Sequence, residues 1–180
     1  MSRTAAAALG LVPLVLFAAY FAMAWQRGRV ADSLWMCHAA NVLLSAGIFA
    51  QSARLAGIAV LWILIGLPLW AMDVWLTGET TVVSTASHLG GLAVGLYALR
   101  RLRLSSNPWL AALLVFMALR ELCRWLTPAA LNVNLAHAPY RGWEIAYWAY
   151  WLLTTAAAAG ALWALGALLE RGMKGSKEES

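Results

Sequence analysis

Long apolar runs, separated only by short polar breaks, constrain this chain more than any other feature of its sequence. Six runs each approach the roughly 20 apolar residues that a helix needs to cross a hydrocarbon core of about 30 Å. They cover residues 5–25, 33–51, 55–75, 82–99, 108–126 and 143–169. The pattern predicts an all-α, polytopic membrane protein with six transmembrane helices in one bundle, residues 1–170, and a disordered cytoplasmic tail, residues 171–180.

The composition excludes a soluble domain of this length. Hydrophobic residues make up 63% of the chain and charged residues 12%, and the mean hydropathy is +0.71, whereas a soluble domain needs a more charged exterior. Arg3 and the apolar run after it also resemble a signal peptide. That run is longer than the apolar part of a typical leader, and Tyr20, Phe21 and Trp25 make a poor cleavage site. We therefore expect the first run to remain as a helix.

Basic residues indicate the orientation of the bundle, because cytoplasmic loops are enriched in lysine and arginine. Six crossings place both termini on one side together with Arg100, Arg101 and Arg103, and that side carries eight basic residues against five. We expect a bacterial inner (plasma) membrane protein with both termini in the cytoplasm. The net charge of +5 then reflects orientation and contact with anionic membrane lipid. No basic cluster is paired with stacking aromatic residues, so we predict no nucleic-acid partner.

Ionisable residues in the apolar runs and the long loop cluster toward the predicted outer side of the membrane. Such groups are costly at membrane depth and usually face a cavity, a partner or a pathway. We infer an outward-facing polar pocket, with the long loop 127–141 as its lid. The alternative is that these groups pair with one another and only fix the arrangement of the helices. The residues are His38, Asp73, His88, Arg120, Glu121, Arg124, His137 and Glu144.

A polar face runs along the second predicted helix. His38, Asn41 and Ser45 are spaced i, i+3 and i+7, so they share one side of the helix. Cys37 lies one turn before Asn41 and extends this face.

The fourth predicted helix carries its histidine beside small residues. His88 shares a face with Gly91 and Gly95, and small residues at this spacing let another helix backbone approach closely. Part of this face is therefore expected to serve helix contact.

Charged and amide side chains at the outer ends of the helices are expected to line the pocket. Asp73 is predicted to pair with Arg120 or Arg124, because an unpaired carboxylate near the membrane interface is unfavourable. The residues predicted to contact a substrate are Asn41, Arg120, Arg124, Asn132 and Asn134.

These residue types suit a nucleophile-and-base site, which needs a Ser, Thr or Cys near a histidine that a third group orients. Cys37 is the candidate nucleophile, His88 the candidate base and Asp73 the candidate orienting group. Arg120 or Arg124 would hold a phosphate or a developing oxyanion. Against this, a cysteine in a helix is more often a small buried apolar residue.

A metal or haem site is a separate hypothesis. The three histidines, with an acidic residue or Cys37, could complete a zinc site, although no pair has the short spacing of a recognisable motif. His38 and His88 are the histidines on facing helices that haem would require. A lone intramembrane histidine is more often structural, so the main interpretation assigns no metal ligand and no cofactor and leaves His137 without a role.

Several short motifs carry a resemblance to bacterial six-helix membrane proteins. The layout is similar to the androgen-induced family of membrane hydrolases, which cleave fatty-acid esters of hydroxy fatty acids with a Thr and a His, and to a related Cys-dependent phospholipid acyltransferase. The resemblance implies that His88 is the catalytic histidine and that Cys37 or Ser45 replaces the family's Thr. The motifs are Leu34-Trp35-Met36-Cys37 with Asn41, Leu69-Trp70-Ala71-Met72-Asp73, Ser87-His88 followed by Arg100-Arg101, and Asn132-Val133-Asn134.

The main functional interpretation is a membrane enzyme that hydrolyses or transfers a lipid or acyl-ester group. A non-catalytic subunit or scaffold that binds a partner protein or a lipid headgroup is the second, and a metal- or haem-binding membrane protein is the third. The predicted catalytic residues are His88, Cys37, Asp73 and Ser45.

Overall fold

Helices form the regular structure of the chain. In the computed structural model the described residues are 1–104, 106–138 and 145–175, and these ranges contain no strand. The all-α prediction is confirmed, and each helix coincides with one predicted run. The helices are α1 (Arg3–Gln26), α2 (Met36–Phe49), α3 (Ala53–Thr77), α4 (Val82–Leu102), α5 (Trp109–Leu126) and α6 (Tyr147–Gly175).

Four helices are long and apolar enough to cross a membrane, namely α1, α3, α4 and α6. The second helix, α2, has 14 residues. Its length of about 21 Å is less than the hydrocarbon thickness of about 30 Å. The helix α5 has 18 residues, and its apolar sequence is interrupted by three charged residues, Arg120, Glu121 and Arg124. The four long helices indicate a membrane location, and the count of six spans stays a prediction.

The helix boundaries differ from the predicted runs by up to six residues, and two of these differences concern the start of α2 and the tail. The second run begins at residue 33, but α2 begins at Met36 because Val30–Leu34 forms a separate 3-10 turn. At the other end of the chain α6 continues to Gly175, so residues 171–175 are helical and the predicted disorder is wrong there. Residues 139–144 and 176–180, which belong to the predicted lid loop, sixth run and tail, lie outside the described residues.

The central helix of the bundle is α3. Its residues from Ala56 to Ile63 are all buried, as expected for a helix that other helices surround. It contacts α2, α4, α5 and α6, while α2 and α4 also contact each other and α1. The polar faces of α2 and α4 therefore meet inside the bundle.

Two glycines of α4 let the helices approach closely. A Cβ atom at Gly91 would lie 2.5 Å from Asn41 Oδ1 of α2, and a Cβ atom at Gly95 would lie 2.5 Å from Val60 Cγ2 of α3. A larger residue would have to push these neighbours away. The predicted close helix contact on this face is confirmed.

Candidate functional site

A cysteine and two histidines meet where α2 and α4 touch. Cys37 and His38 lie in the first turn of α2, and His88 lies on α4. Their potential ligand atoms, the Cys37 sulfur and one nitrogen of each histidine, all lie within 4.8 Å of one another. Both histidines are buried, whereas Cys37 is partly exposed. We refer to these three residues as the Cys-His-His cluster.

The backbone of α4 presents His88 to the cluster. Residues Ala86–Gly90 form one turn of π-helix, an irregularity that occurs often at functional sites. The ring nitrogen Nδ1 lies 2.8 Å from the carbonyl oxygen of Ser84. Since a carbonyl only accepts, Nδ1 carries the hydrogen and Nε2 of the neutral ring keeps its lone pair. That Nε2 is buried and has no hydrogen-bond partner in the described part of the chain.

Aromatic rings hold both imidazoles in place. Tyr20 of α1 stacks on His38 with 3.4 Å between ring centroids, and Trp70 of α3 stacks on His88 at 4.7 Å. The two imidazoles meet edge to face, 5.2 Å apart at 73°. Four helices thus contribute to the site. The two imidazoles are in direct contact, and a porphyrin between two axial histidines would have to separate them, so this geometry does not favour haem; the haem hypothesis stays a prediction.

Asn41 connects the two helices beside the cluster. Its Nδ2 donates to the carbonyl oxygens of Cys37 and Ser87, at 3.2 and 3.3 Å. Its Oδ1 is buried without a partner among the described residues, as is Nδ1 of His38. An unsatisfied buried polar atom costs about 1–3 kcal/mol, so such atoms usually have an unseen partner such as an ion or water. Together with His88 Nε2, three such atoms gather at this contact.

Two predicted catalytic residues lie outside the cluster. The hydroxyl of Ser45 donates to the carbonyl oxygen of Gly10 at 2.7 Å, so Ser45 links α2 to α1. The side chain of Asp73 is exposed, and the backbone of Ser84 takes the orienting role that we predicted for it. The prediction that Asp73 orients His88 is wrong, because the i−4 carbonyl of the same helix lies within hydrogen-bond reach and needs no contact between helices.

The predicted ion pair of Asp73 with Arg120 or Arg124 is also wrong. Within the described residues, Asp73 forms an ion pair with neither Arg120 nor Arg124. The ion pair found there joins Arg29 to Asp32. Instead Arg120 is buried and donates to Thr154 Oγ1 at 3.0 Å. Both arginines face aromatic rings of α6, with Arg120 over Tyr150 and Trp151 and Arg124 over Tyr147. Cation–π contact with α6 therefore replaces pairing with α3.

The asparagines of the loop bind backbone. Asn134 Oδ1 accepts from the amide of Met36 at 2.9 Å, and its Nδ2 donates to the carbonyl of Leu34 at 2.7 Å. This caps α2 one residue before Cys37. Asn132 Oδ1 accepts from the amides of His137 and Ala138. Both side chains are used within the protein, so the predicted substrate contacts receive no support from this geometry.

The described part of the loop, up to residue 138, contacts α5 and the 3-10 turn Val30–Leu34 and bonds to the start of α2 through Asn134; its role as a lid over a polar pocket stays a prediction. His137 also lies in this part of the loop, where its Nε2 is 3.2 Å from Thr127 Oγ1. It lies outside the Cys-His-His cluster. The cluster therefore uses two of the three histidines and one of the two cysteines.

Sequence reasoning missed Tyr20 and Trp70. Both lie in apolar runs, where aromatic residues are common for many reasons. Their spacing therefore does not predict that they stack on histidines of another helix. Comparisons with protein-family models, curated proteins and solved structures give no match for this chain. The resemblance to the androgen-induced hydrolases accordingly stays a prediction.

Proposed function

We propose that this protein is an integral membrane protein that binds a transition-metal ion through Cys37, His38 and His88. The convergence of three ligand atoms within 4.8 Å carries the proposal. A thiolate with two imidazoles suits zinc or copper, whereas magnesium and calcium prefer oxygen ligands. This proposal takes up the third of the three functional interpretations, that of a metal-binding membrane protein.

The distances suit a site that tightens when the ion binds. Sulfur and nitrogen ligands of one tetrahedral zinc lie about 3.5 Å apart. The ligand atoms of the Cys-His-His cluster lie within 4.8 Å of one another, so small side-chain rotations close the site. Three protein ligands leave a fourth position for water or a substrate group, as in catalytic zinc sites.

Contacts around the cluster support the same proposal. Metal-binding histidines usually donate their other ring nitrogen to a carboxylate or a carbonyl, which fixes the tautomer. His88 does so through Ser84. Tyr20 and Trp70 restrict rotation of the two imidazoles. The histidine side chains therefore lose less conformational entropy when a metal binds.

Metal content of the full-length protein purified in detergent tests the proposal. We expect about one zinc or copper ion per chain by elemental analysis after dialysis. His88→Gln and Cys37→Ser should each lower the affinity at least tenfold in a metal titration. The matched controls His137→Gln and Cys123→Ser change the same residue types outside the cluster and should keep the metal. A wild-type chain that binds neither ion on titration, or equal losses in the controls, would contradict the proposal.

A second candidate function is hydrolysis or transfer of a lipid acyl group by Cys37 with His88 as base. The observation that favours it is a partly exposed thiol beside a buried imidazole whose Nε2 has no hydrogen-bond partner among the described residues. An acyl-phosphonate or thiol-reactive lipid probe separates the two functions. Labelling of Cys37 that survives chelation and disappears in His88→Gln supports the enzyme, whereas labelling that appears only after chelation supports the metal site.

We also propose that all six helices cross the membrane, with both termini in the cytoplasm of a bacterium. The short helix α2 packs against α1 and α3, and eight of its 14 residues, including His38, Asn41 and Ser45, are buried, so its polar face is turned away from lipid. Basic residues at the ends of α3, α4 and α6 support the orientation.

A further inference from the structure

A cleft of about 530 Å³ lies between the start of α1 and the end of α4, and Arg100, Arg101 and Arg103 line it. We call it the arginine cleft. None of the described residues that line it is acidic, and these arginines form no ion pair in the described part of the chain. Like charges around one cleft repel each other unless an anion lies between them.

The start of α1 adds to this positive potential. The first turn of a helix carries unpaired N–H groups and the positive end of the helix dipole. In α1 this turn contains no acidic residue. Ser2, whose hydroxyl accepts from the amide of Ala5 at 3.2 Å, lines the cleft together with Ala5. The amide of Ala5 is already bonded to Ser2, so the helix dipole and the arginine side chains, not a free amide, favour an anion in the cleft.

A side-chain contact positions Arg101, and an unusual backbone conformation positions Arg103. Arg101 Nε donates to the hydroxyl of Tyr97 at 3.2 Å, and its Cζ lies 5.2 Å from the centroid of that ring. Arg103 ends α4 with φ of 60° and ψ of 74°, a left-handed conformation that is costly for a residue with a Cβ atom. Strained residues of this kind are common at binding sites.

The lining also indicates what kind of anion fits. Both α1 and α4 are long enough to cross a membrane, so their ends are expected at the level of the lipid headgroups. Beyond the arginines the cleft is walled by Ala5 and Leu9, which offer an apolar surface to the first carbons of an acyl chain. We propose that the arginine cleft binds the phosphate group of an anionic phospholipid.

Lipid binding to the delipidated full-length protein, followed by native mass spectrometry, tests this proposal. Phosphatidylglycerol and phosphatidylcholine serve as the probes. We expect one phosphatidylglycerol to bind about tenfold or more tightly than phosphatidylcholine. Arg101→Gln should remove most of this preference, and Tyr97→Phe, which keeps the charge, should reduce it by a smaller factor. Arg101→Lys should retain more of it than Arg101→Gln.

Arg54→Gln is the matched control, because Arg54 is an exposed arginine outside the cleft. It should leave the preference unchanged. Equal binding of both lipids to the wild type, or an equal loss in Arg54→Gln, would overturn the site. Inorganic phosphate at about 10 mM should leave the lipid bound. Displacement of the lipid by this free phosphate would overturn the assignment to a lipid. Thermal melting of each variant confirms that it is folded before its binding is compared.

Discussion

The Cys-His-His cluster shows which features of single residues in the sequence predict their position in the structure. Cys37, His38 and His88 stood out because polar groups are rare in apolar runs, and they do meet. The predicted contacts of Asp73 with His88 and the arginines are wrong for a different physical reason. Helical spacing says which side of a helix a residue occupies, but not which neighbouring helix covers that side. A charge near a helix end also has solvent as an alternative partner, and Asp73 is exposed.

Asp73 and Arg120 are therefore expected to contribute independently to stability. Asp73→Asn should change the free energy of unfolding by less than about 0.5 kcal/mol, as for other exposed positions. Arg120→Gln should cost about 1–3 kcal/mol, because Arg120 is buried and bonds to Thr154. Denaturant titration in detergent of the single and double variants measures both. An interaction energy above about 1 kcal/mol would restore the ion pair.

Gly91 is predicted to be intolerant of even one added methyl group. Gly91→Ala should destabilise the bundle by about 1–3 kcal/mol, because the new Cβ would press on Asn41 Oδ1. Gly160→Ala is the matched control, since no atom lies within 4 Å of a Cβ built there. It should be neutral or stabilising by up to about 1 kcal/mol. Equal melting temperatures for the two variants would exclude the close contact between α2 and α4.

Apolar length predicted all six helices, while hydrogen bonds, some of them to distant residues, decide where the helices begin and end. The 3-10 turn Val30–Leu34 and the cap from Asn134 shorten the second run to α2. A cap contributed by a residue 98 positions away leaves no trace in the local sequence. The π-helical turn at Ala86–Gly90 is equally unmarked, because its residues also fit an ordinary helix.

The cap from Asn134 is predicted to limit the access of reagents to Cys37. Asn134→Ala should release the amide of Met36 and the carbonyl of Leu34, and so loosen the start of α2. In a Cys123→Ser background, a small membrane-permeant maleimide should then label Cys37 several-fold faster.

Asn107→Ala is the control for that experiment. Asn107 also bonds to backbone, accepting from the amide of Trp109 and donating to the carbonyl of Trp163, but it lies before α5, away from α2. It should leave the labelling rate of Cys37 unchanged. An unchanged rate in Asn134→Ala would show that the loop does not control access.

The number and direction of the membrane-spanning helices decide which leaflet each site faces. Single cysteines at Gln26, Gln51 and Glu79, each exposed between helices or at a helix end, report on this in a Cys37→Ser, Cys123→Ser background. A membrane-impermeant reagent applied to intact cells should label positions 26 and 79 but not 51. Equal labelling of 26 and 51 would mean that α2 does not cross, and labelling of 51 alone would reverse the orientation.

The proposed metal centre binds one ion through one sulfur and two imidazole nitrogens. X-ray absorption at the edge of the metal that copurifies, or of zinc added in equal amount, measures this ligand set directly. We expect one sulfur at about 2.3 Å and at least two nitrogens at about 2.0–2.1 Å. The sulfur shell should vanish in Cys37→Ser and persist in Cys123→Ser. A first shell without sulfur in the wild type, or a sulfur shell that survives Cys37→Ser, would contradict the proposed centre.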